Sequence, residues 1–286
     1  MKKTVALLLC LILCLGTLTF ADDSWVCPNC GEKNTAAFCG RCGTKKPEEK
    51  WICPNCHKEN TNNFCIYCGT KKPVETKGPG EQVPGAKVGE YVKFGTYPQT
   101  KKGKDETPIE WLVLARVGGR ALLISRYGLD CKNYHAKDSS ATWESCTLRT
   151  WLNEEFIRNA FTPAERAAIL LTDVDNGRSQ GYYGYSSVGG KNTRDKIFLL
   201  SYAEAWQYFR SDASRVCVPT DYAIAKGAWF STKDKINGRG AGAWWLRSPG
   251  YNLRYAGNVY SNGALYDYQI NSAYSIVRPA MWVKVG

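Results

Sequence analysis

The sequence predicts an α+β protein in two parts, a small cysteine-held N-terminal region and a large C-terminal domain. Three observations carry this. A cysteine-rich segment repeats with a 26-residue period. A Pro-, Gly- and charge-rich stretch follows it. Beyond that stretch, β-forming runs stand at both ends of residues 89–286, with capped helical patterns between them.

The chain of 286 residues is 44% hydrophobic and 22% charged, so most of it can bury a core. A mean hydropathy of −0.38 excludes a polytopic membrane protein. Only two histidines are present, one of them among the cysteines, which weakens Ser-His-Asp and Cys-His catalysis. The formal charge is +12, and no run of lysine or arginine exceeds two residues. That pattern reads as a solvated basic surface rather than a nucleic-acid groove.

Residues 1–21 read as a secretory signal peptide. Lys2 and Lys3 precede an apolar run from Val5 to Leu15, and Thr19-Phe20-Ala21 forms a small-residue cleavage site before Asp22. The protein is therefore expected to be exported: secreted, periplasmic or at the cell surface. Contact with a membrane would come only through this segment, if it is uncleaved.

Residues 22–73 hold the repeat. Cys27-Pro-Asn-Cys30 and Cys39-Gly-Arg-Cys42 recur as Cys53-Pro-Asn-Cys56 and Cys65-Ile-Tyr-Cys68, with 14 of 21 aligned positions identical. A CxxC turn presents two thiolates from one knuckle, and two facing knuckles close a tetrahedral site. Two structural zinc ions are thus expected, one on Cys27, Cys30, Cys39 and Cys42, the other on Cys53, Cys56, Cys65 and Cys68. Trp25, Trp51, Phe38 and Phe64 are expected to cover them. The rival is disulfide pairing, because export implies an oxidising compartment. His57 replaces Gly31 of the first repeat and reads as a surface residue. The segment resembles the bacterial double zinc ribbon. Nucleic-acid binding, protein docking and spacing all occur in such modules, and export argues against nucleic acid.

Residues 74–88 read as a flexible linker. In the domain at 89–286, strands are expected at Tyr91–Phe94, Glu110–Leu114 and Ala121–Ile124, the last two joined by the Gly118-Gly119 turn. A helix follows with Leu148, Trp151, Leu152 and Phe156 on one face. Thr162-Pro163-Ala164-Glu165 opens a second with a capping box, and Ser201 with Glu204 opens a third by the same logic. Thr220 to Gly227 reads as a fourth. Residues 174–194 read as a long loop, Asn262-Gly263 as a hairpin turn, and residues 277–283 as a terminal strand.

The stretches Thr142–Asn153, Trp244–Gly250 and Val277–Ala280, with Leu129-Asp130-Cys131, resemble a bacterial domain family of unassigned function. That family is similar to the C-type-lectin-like fold in its formylglycine-generating-enzyme branch. Some members are variable proteins diversified by retroelements in the C-terminal segment. The resemblance implies a C-type-lectin-like domain at 89–286 and brings no established activity with it; ligand binding is the expected role, with an enzyme on the formylglycine-generating-enzyme-like fold or a structural envelope protein as the alternatives. The acidic calcium motifs of sugar-binding C-type lectins are absent, and no reactive cysteine pair of the formylglycine-generating kind is reproduced.

Residues 251–275 hold six tyrosines and four asparagines, which is the composition of a recognition surface. The expected ligand-binding set is Tyr251, Asn252, Arg254, Tyr255, Asn258, Tyr260, Tyr266 and Tyr268, and the expected ligand is a protein or a glycan. Register decides which face these residues take. A two-residue loop puts Tyr255, Val259, Tyr266, Tyr268 and Ile270 together on a core face. A three-residue loop turns Val259 and Leu265 inward and Asn258, Tyr260, Tyr266 and Tyr268 outward. Trp244, Trp245 and Arg247 read as core. Cys131 and Cys146 could pair, leaving Cys217 free, and His135 lacks the orienting partner a Cys-His dyad would need.

Overall fold

The computed structural model describes residues 25–47, 50–53, 55, 56, 58–62, 64–70, 83, 85–137, 139–182 and 184–285. The segment expected as a signal peptide, most of the linker, and His57 lie outside the described residues. The chain divides into two compact units, Met1–Val74 and Glu75–Gly286.

The first unit contains the repeat. In each copy a two-stranded ribbon leads into the first knuckle: β1 (Trp25–Val26) pairs with β2 (Lys33–Asn34), and β3 (Trp51–Ile52) with β4 (Glu59–Asn60). Trp25 and Trp51 are buried against the cysteines. Their indole N–H groups donate to the carbonyls of Ala36 and Asn62. Phe38 and Phe64 correct the expectation that they cover the cysteines, because both are more than half exposed. One tryptophan already fills the small space beside each knuckle pair.

The second unit is mainly β, with short helices and two curled sheets. The first sheet runs in the order β17 (Ala280–Lys284), β7 (Arg120–Ser125), β6 (Pro108–Val117), β5 (Tyr91–Thr96), all antiparallel. Ile109, Trp111 and Val113 alternate inward along β6. Residues Ala121 to Ser125 of β7 are buried on both faces because the strand is internal and covered on each side. At Gly95, whose φ is +68°, an added Cβ would lie 2.6 Å from the Ala160 carbonyl oxygen and the Phe161 ring, so only glycine fits.

The second sheet runs in the order β15 (Leu265–Gln269), β14 (Tyr255–Val259), β13 (Trp244–Pro249), β16 (Ile276–Val277), β8 (Asp130–Cys131). Only β13–β16 is parallel. The expected single strand at 277–283 is two strands in different sheets. Pro279 lacks an N–H and stands at the crossover between them. Arg278 holds that crossover: it is buried, donates from Nε to the Ser125 carbonyl, and lies 4.9 Å from the Trp244 ring centroid.

The helices are short, and those expected at Thr162, Ser201 and Thr220 open at those caps. In chain order the helices are α1 (Thr147–Trp151), α2 (Ile157–Ala160), α3 (Pro163–Ala168), α4 (Tyr202–Tyr208), α5 (Asp212–Arg215) and α6 (Asp221–Ala225). A π-helical stretch, Leu152–Phe156, joins α1 to α2. Capping boxes start α3 and α4. The loop expected at 174–194 is tied down at its ends by the pairing of β9 (Thr172–Val174) with β10 (Thr193–Asp195). It is also held by Arg247, which donates to the Asp175 carbonyl and pairs with Glu204.

The C-terminal end of the expected linker belongs to this unit. Val83 is 1% exposed and sits in the main core, and Arg116 donates to the carbonyls of Val83 and Ala86. At Val83 and Ala86 the flexible reading is thereby corrected.

Candidate functional site

In each ribbon the four cysteine Sγ atoms lie within 4.8 Å of one another. Pairs across the knuckles are 3.5 Å apart for Cys27–Cys42, Cys30–Cys39 and Cys53–Cys68, and 3.4 Å for Cys56–Cys65. Four sulfurs bound at about 2.3 Å to one tetrahedral ion would stand about 3.8 Å apart. The clusters therefore converge on a point where an ion fits. Turns at positive φ let the knuckles close: Gly31 and Gly43 donate to the Cys27 and Cys39 carbonyls, at φ of +73° and +72°. Hydrogen bonds from the Thr44 hydroxyl and N–H lower the Cys42 thiol to about 6, and Thr70 does the same for Cys68. Those contacts favour the thiolate, the form that binds metal. Four sulfur donors are the set for a soft, tetrahedral ion, and they leave no coordination position open for chemistry.

In the large unit the hairpin of β14 and β15 has the three-residue-loop register. Val259 pairs with Leu265 and Asn258 with Tyr266. Tyr260 donates to the Ala264 carbonyl, leaving Ser261, Asn262 and Gly263 as the turn. Gly263 has a φ of +86°, and an added Cβ would meet the Asp212 carbonyl oxygen at 1.8 Å. The turn is thus docked on α5, with Arg215 Nε donating to the Gly263 carbonyl.

Within this register the eight expected ligand residues separate into four places. Tyr260 and Tyr268 line a cleft of about 430 Å³ together with Trp229, Asp234, Ser261 and Tyr274. Tyr266 is exposed and stacks on Tyr260, with ring centroids 4.8 Å apart. Tyr251, Asn252, Arg254 and Tyr255 line a second cleft of about 380 Å³, shared with Lys137 and Gln269. Asn258 corrects the expectation that it faces outward. It is wholly buried, and its Nδ2 donates to the Ser275 hydroxyl. Ser275, in the segment before β16, lies against it, whereas the tyrosines of β15 emerge at the sheet edge.

Trp229, Asp234 and Tyr274 are the aromatic and charged side chains of the first cleft that the expected set lacked. Trp229 follows the end of α6, and its N–H donates to the Tyr274 carbonyl. Asp234 is held by the Ser261 hydroxyl at 2.6 Å. It precedes a tight hairpin of β11 (Lys235–Ile236) and β12 (Arg239–Gly240), turned at Asn237-Gly238. That second Asn-Gly was the available signal. Tyr274 has only its place in the tyrosine-rich segment to mark it.

The remaining reactive groups have structural partners. Cys131, Cys146 and Cys217 are free thiols, which corrects the pairing of Cys131 with Cys146. Cys146 Sγ instead accepts from the Arg149 N–H and caps α1, while Cys131 Sγ donates to the Ala273 carbonyl. His135 is buried. Its Nδ1 accepts from the Thr147 N–H, so the proton is on Nε2, facing the Ser139 hydroxyl. In a third, charged cleft the buried Asp130 accepts from the Tyr97 hydroxyl at 2.6 Å and the Cys131 N–H at 2.7 Å. Burial, then the Asp130 charge, push the Tyr97 hydroxyl upward, so it stays a donor. Trp244, Trp245 and Arg247 are buried in the core.

A family described as a domain of unknown function (DUF6273) matches residues 118–285. The match spans more than half of the chain, which belongs to this family. It begins at the turn between β6 and β7, so the structural unit extends the matched region by the β5–β6 hairpin. No curated protein and no solved structure matches the chain. Among the described residues no helix is long and apolar enough to cross a membrane.

Proposed function

We propose that the chain is an exported ligand-binding protein, with two structural zinc ions in its ribbons and its recognition surface in the large domain. The reading of that domain as C-type-lectin-like rests on the motif resemblance. The ribbons serve as a spacer or docking module, and the domain takes a protein or glycan ligand.

One observation carries the binding reading. Trp229, Tyr268 and Tyr274 are 53%, 40% and 63% exposed, yet they converge on one cleft beside a fixed carboxylate. Scattered exposed aromatics need no explanation, but a concave cluster marks a contact site. The cleft volume is within the range for a small-molecule or side-chain pocket.

The test is a screen of the full chain against immobilised glycans and cell-surface fractions, repeated with the double variant Trp229→Ala, Tyr274→Ala. Both side chains face solvent, so the variant should fold. Loss of two anchoring rings should cost about 2 kcal/mol each in binding. If binding persists unchanged, and is abolished instead by Arg254→Ala with Tyr251→Ala, the recognition site is the second cleft.

A further inference from the structure

We infer that the cleft between Trp229, Tyr268 and Tyr274 takes an alkylated ammonium group, such as a trimethylammonium head, with Asp234 as its counter-charge. This deepens the proposed ligand-binding role and rests on it.

The composition of the cleft points to a cation. Its lining among the described residues contains one carboxylate and neither lysine, arginine nor histidine, although the chain as a whole is strongly basic. The carboxylate is held ionised. The Ser261 hydroxyl, then Ser231, lower Asp234 below the ordinary carboxylate value, with the neighbouring Lys233 adding to the effect. Aromatic faces carry negative potential and attract cations within about 6 Å of the ring centre. The chain's own cations stack elsewhere, for example Arg120 on Trp282 and Lys132 on Trp151.

The small polar side chains of the cleft are engaged with the protein itself. Here the Ser261 hydroxyl donates to Asp234, Ser275 Oγ accepts from Asn258 Nδ2, and Asn262 Oδ1 accepts from the Ala264 N–H. A methylated ammonium needs no hydrogen bond. It needs ring faces and a nearby negative charge, and the cleft supplies both.

The experiment is calorimetric titration of the full chain with tetramethylammonium, choline and 3,3-dimethylbutan-1-ol, the neutral analogue of choline with the same shape. Choline should bind saturably and the neutral analogue at least about tenfold more weakly, since cation–π attraction is lost. Asp234→Asn should weaken choline about tenfold at unchanged melting temperature, and Trp229→Ala with Tyr274→Ala should abolish binding. Sedimentation with phosphatidylcholine vesicles separates the sources. Vesicle binding that free choline displaces assigns a lipid headgroup, and choline binding without vesicle binding assigns a soluble ligand. Equal binding of choline and its neutral analogue overturns the cation assignment. Binding of a glycan or peptide in this cleft, with no binding of either ammonium, also overturns it but leaves the ligand-binding reading standing. Failure of every probe and of the surface screen removes both.

Discussion

Replacing Cys65 with serine removes one corner of the second cysteine tetrahedron and leaves the first untouched. The buried apolar side chains of that ribbon are Trp51, Cys53 and Cys65, with Cys56 against them. Burying one tryptophan contributes about 3 kcal/mol. Fixing the backbone of a single residue costs roughly 1–2 kcal/mol, so this core offsets the ordering of about two residues. Strands of two residues add little. On the proposed zinc reading, metal binding, worth about 10–16 kcal/mol in small four-ligand zinc modules at neutral pH, supplies the rest. Cys65→Ser should therefore unfold the second ribbon outright rather than loosen it. The zinc content of untagged full-length protein should fall from two equivalents to one. Trp51, now 8% exposed, should become solvated while Trp25 stays buried. Elemental analysis and tryptophan emission check this, with Cys39→Ser as the mirror experiment. Two equivalents retained would mean that Cys65 is not a ligand. Loss of both would mean that the ribbons do not fold independently, and disulfides without metal would refute the zinc assignment altogether.

Glu204→Ala strips the carboxylate from Arg247, whose side chain is 1% exposed. Because Glu204 is 25% exposed, the loss should be near the low end for a broken buried pair, about 3 kcal/mol. For a domain of this size that lowers the melting temperature by about 6–12 °C, readable by calorimetry. Stability should also depend on His135. Burial, then the Lys137 charge, hold its pKa below the ordinary value. The unfolded chain therefore takes up the proton first. The stabilisation is complete above about pH 6.5 and is lost as pH falls through the lower folded-state value. Urea midpoints of the wild type at pH 7.5 and pH 5 should separate further than those of His135→Gln. Equal separations would remove His135 from the account.

Local chemistry was legible from the chain alone wherever a short segment sets its own geometry. The CxxC spacing placed all eight sulfurs, because two knuckles of fixed shape need only meet. Thr162 with Glu165, and Ser201 with Glu204, placed two helix starts, since a capping box is a contact within four residues. The Asn-Gly turn confined the hairpin to a small choice of registers, and the inward pair Val259 and Leu265 belongs to the three-residue loop. Tertiary structure decided what depends on neighbours distant in sequence. Asn258 is covered because the segment before β16 brings Ser275 against it, although its own alternation would equally expose it. Pro279 divides the last strand between two sheets, a division visible only once Arg278 is seen anchored to Ser125 and Trp244. The cleft brings Trp229 and Asp234 to Tyr260, Tyr268 and Tyr274 from loops separated along the chain. No periodicity or spacing encodes that meeting, because it is made by the packing of one hairpin's turn against α5 and of a tryptophan loop against the segment before β16.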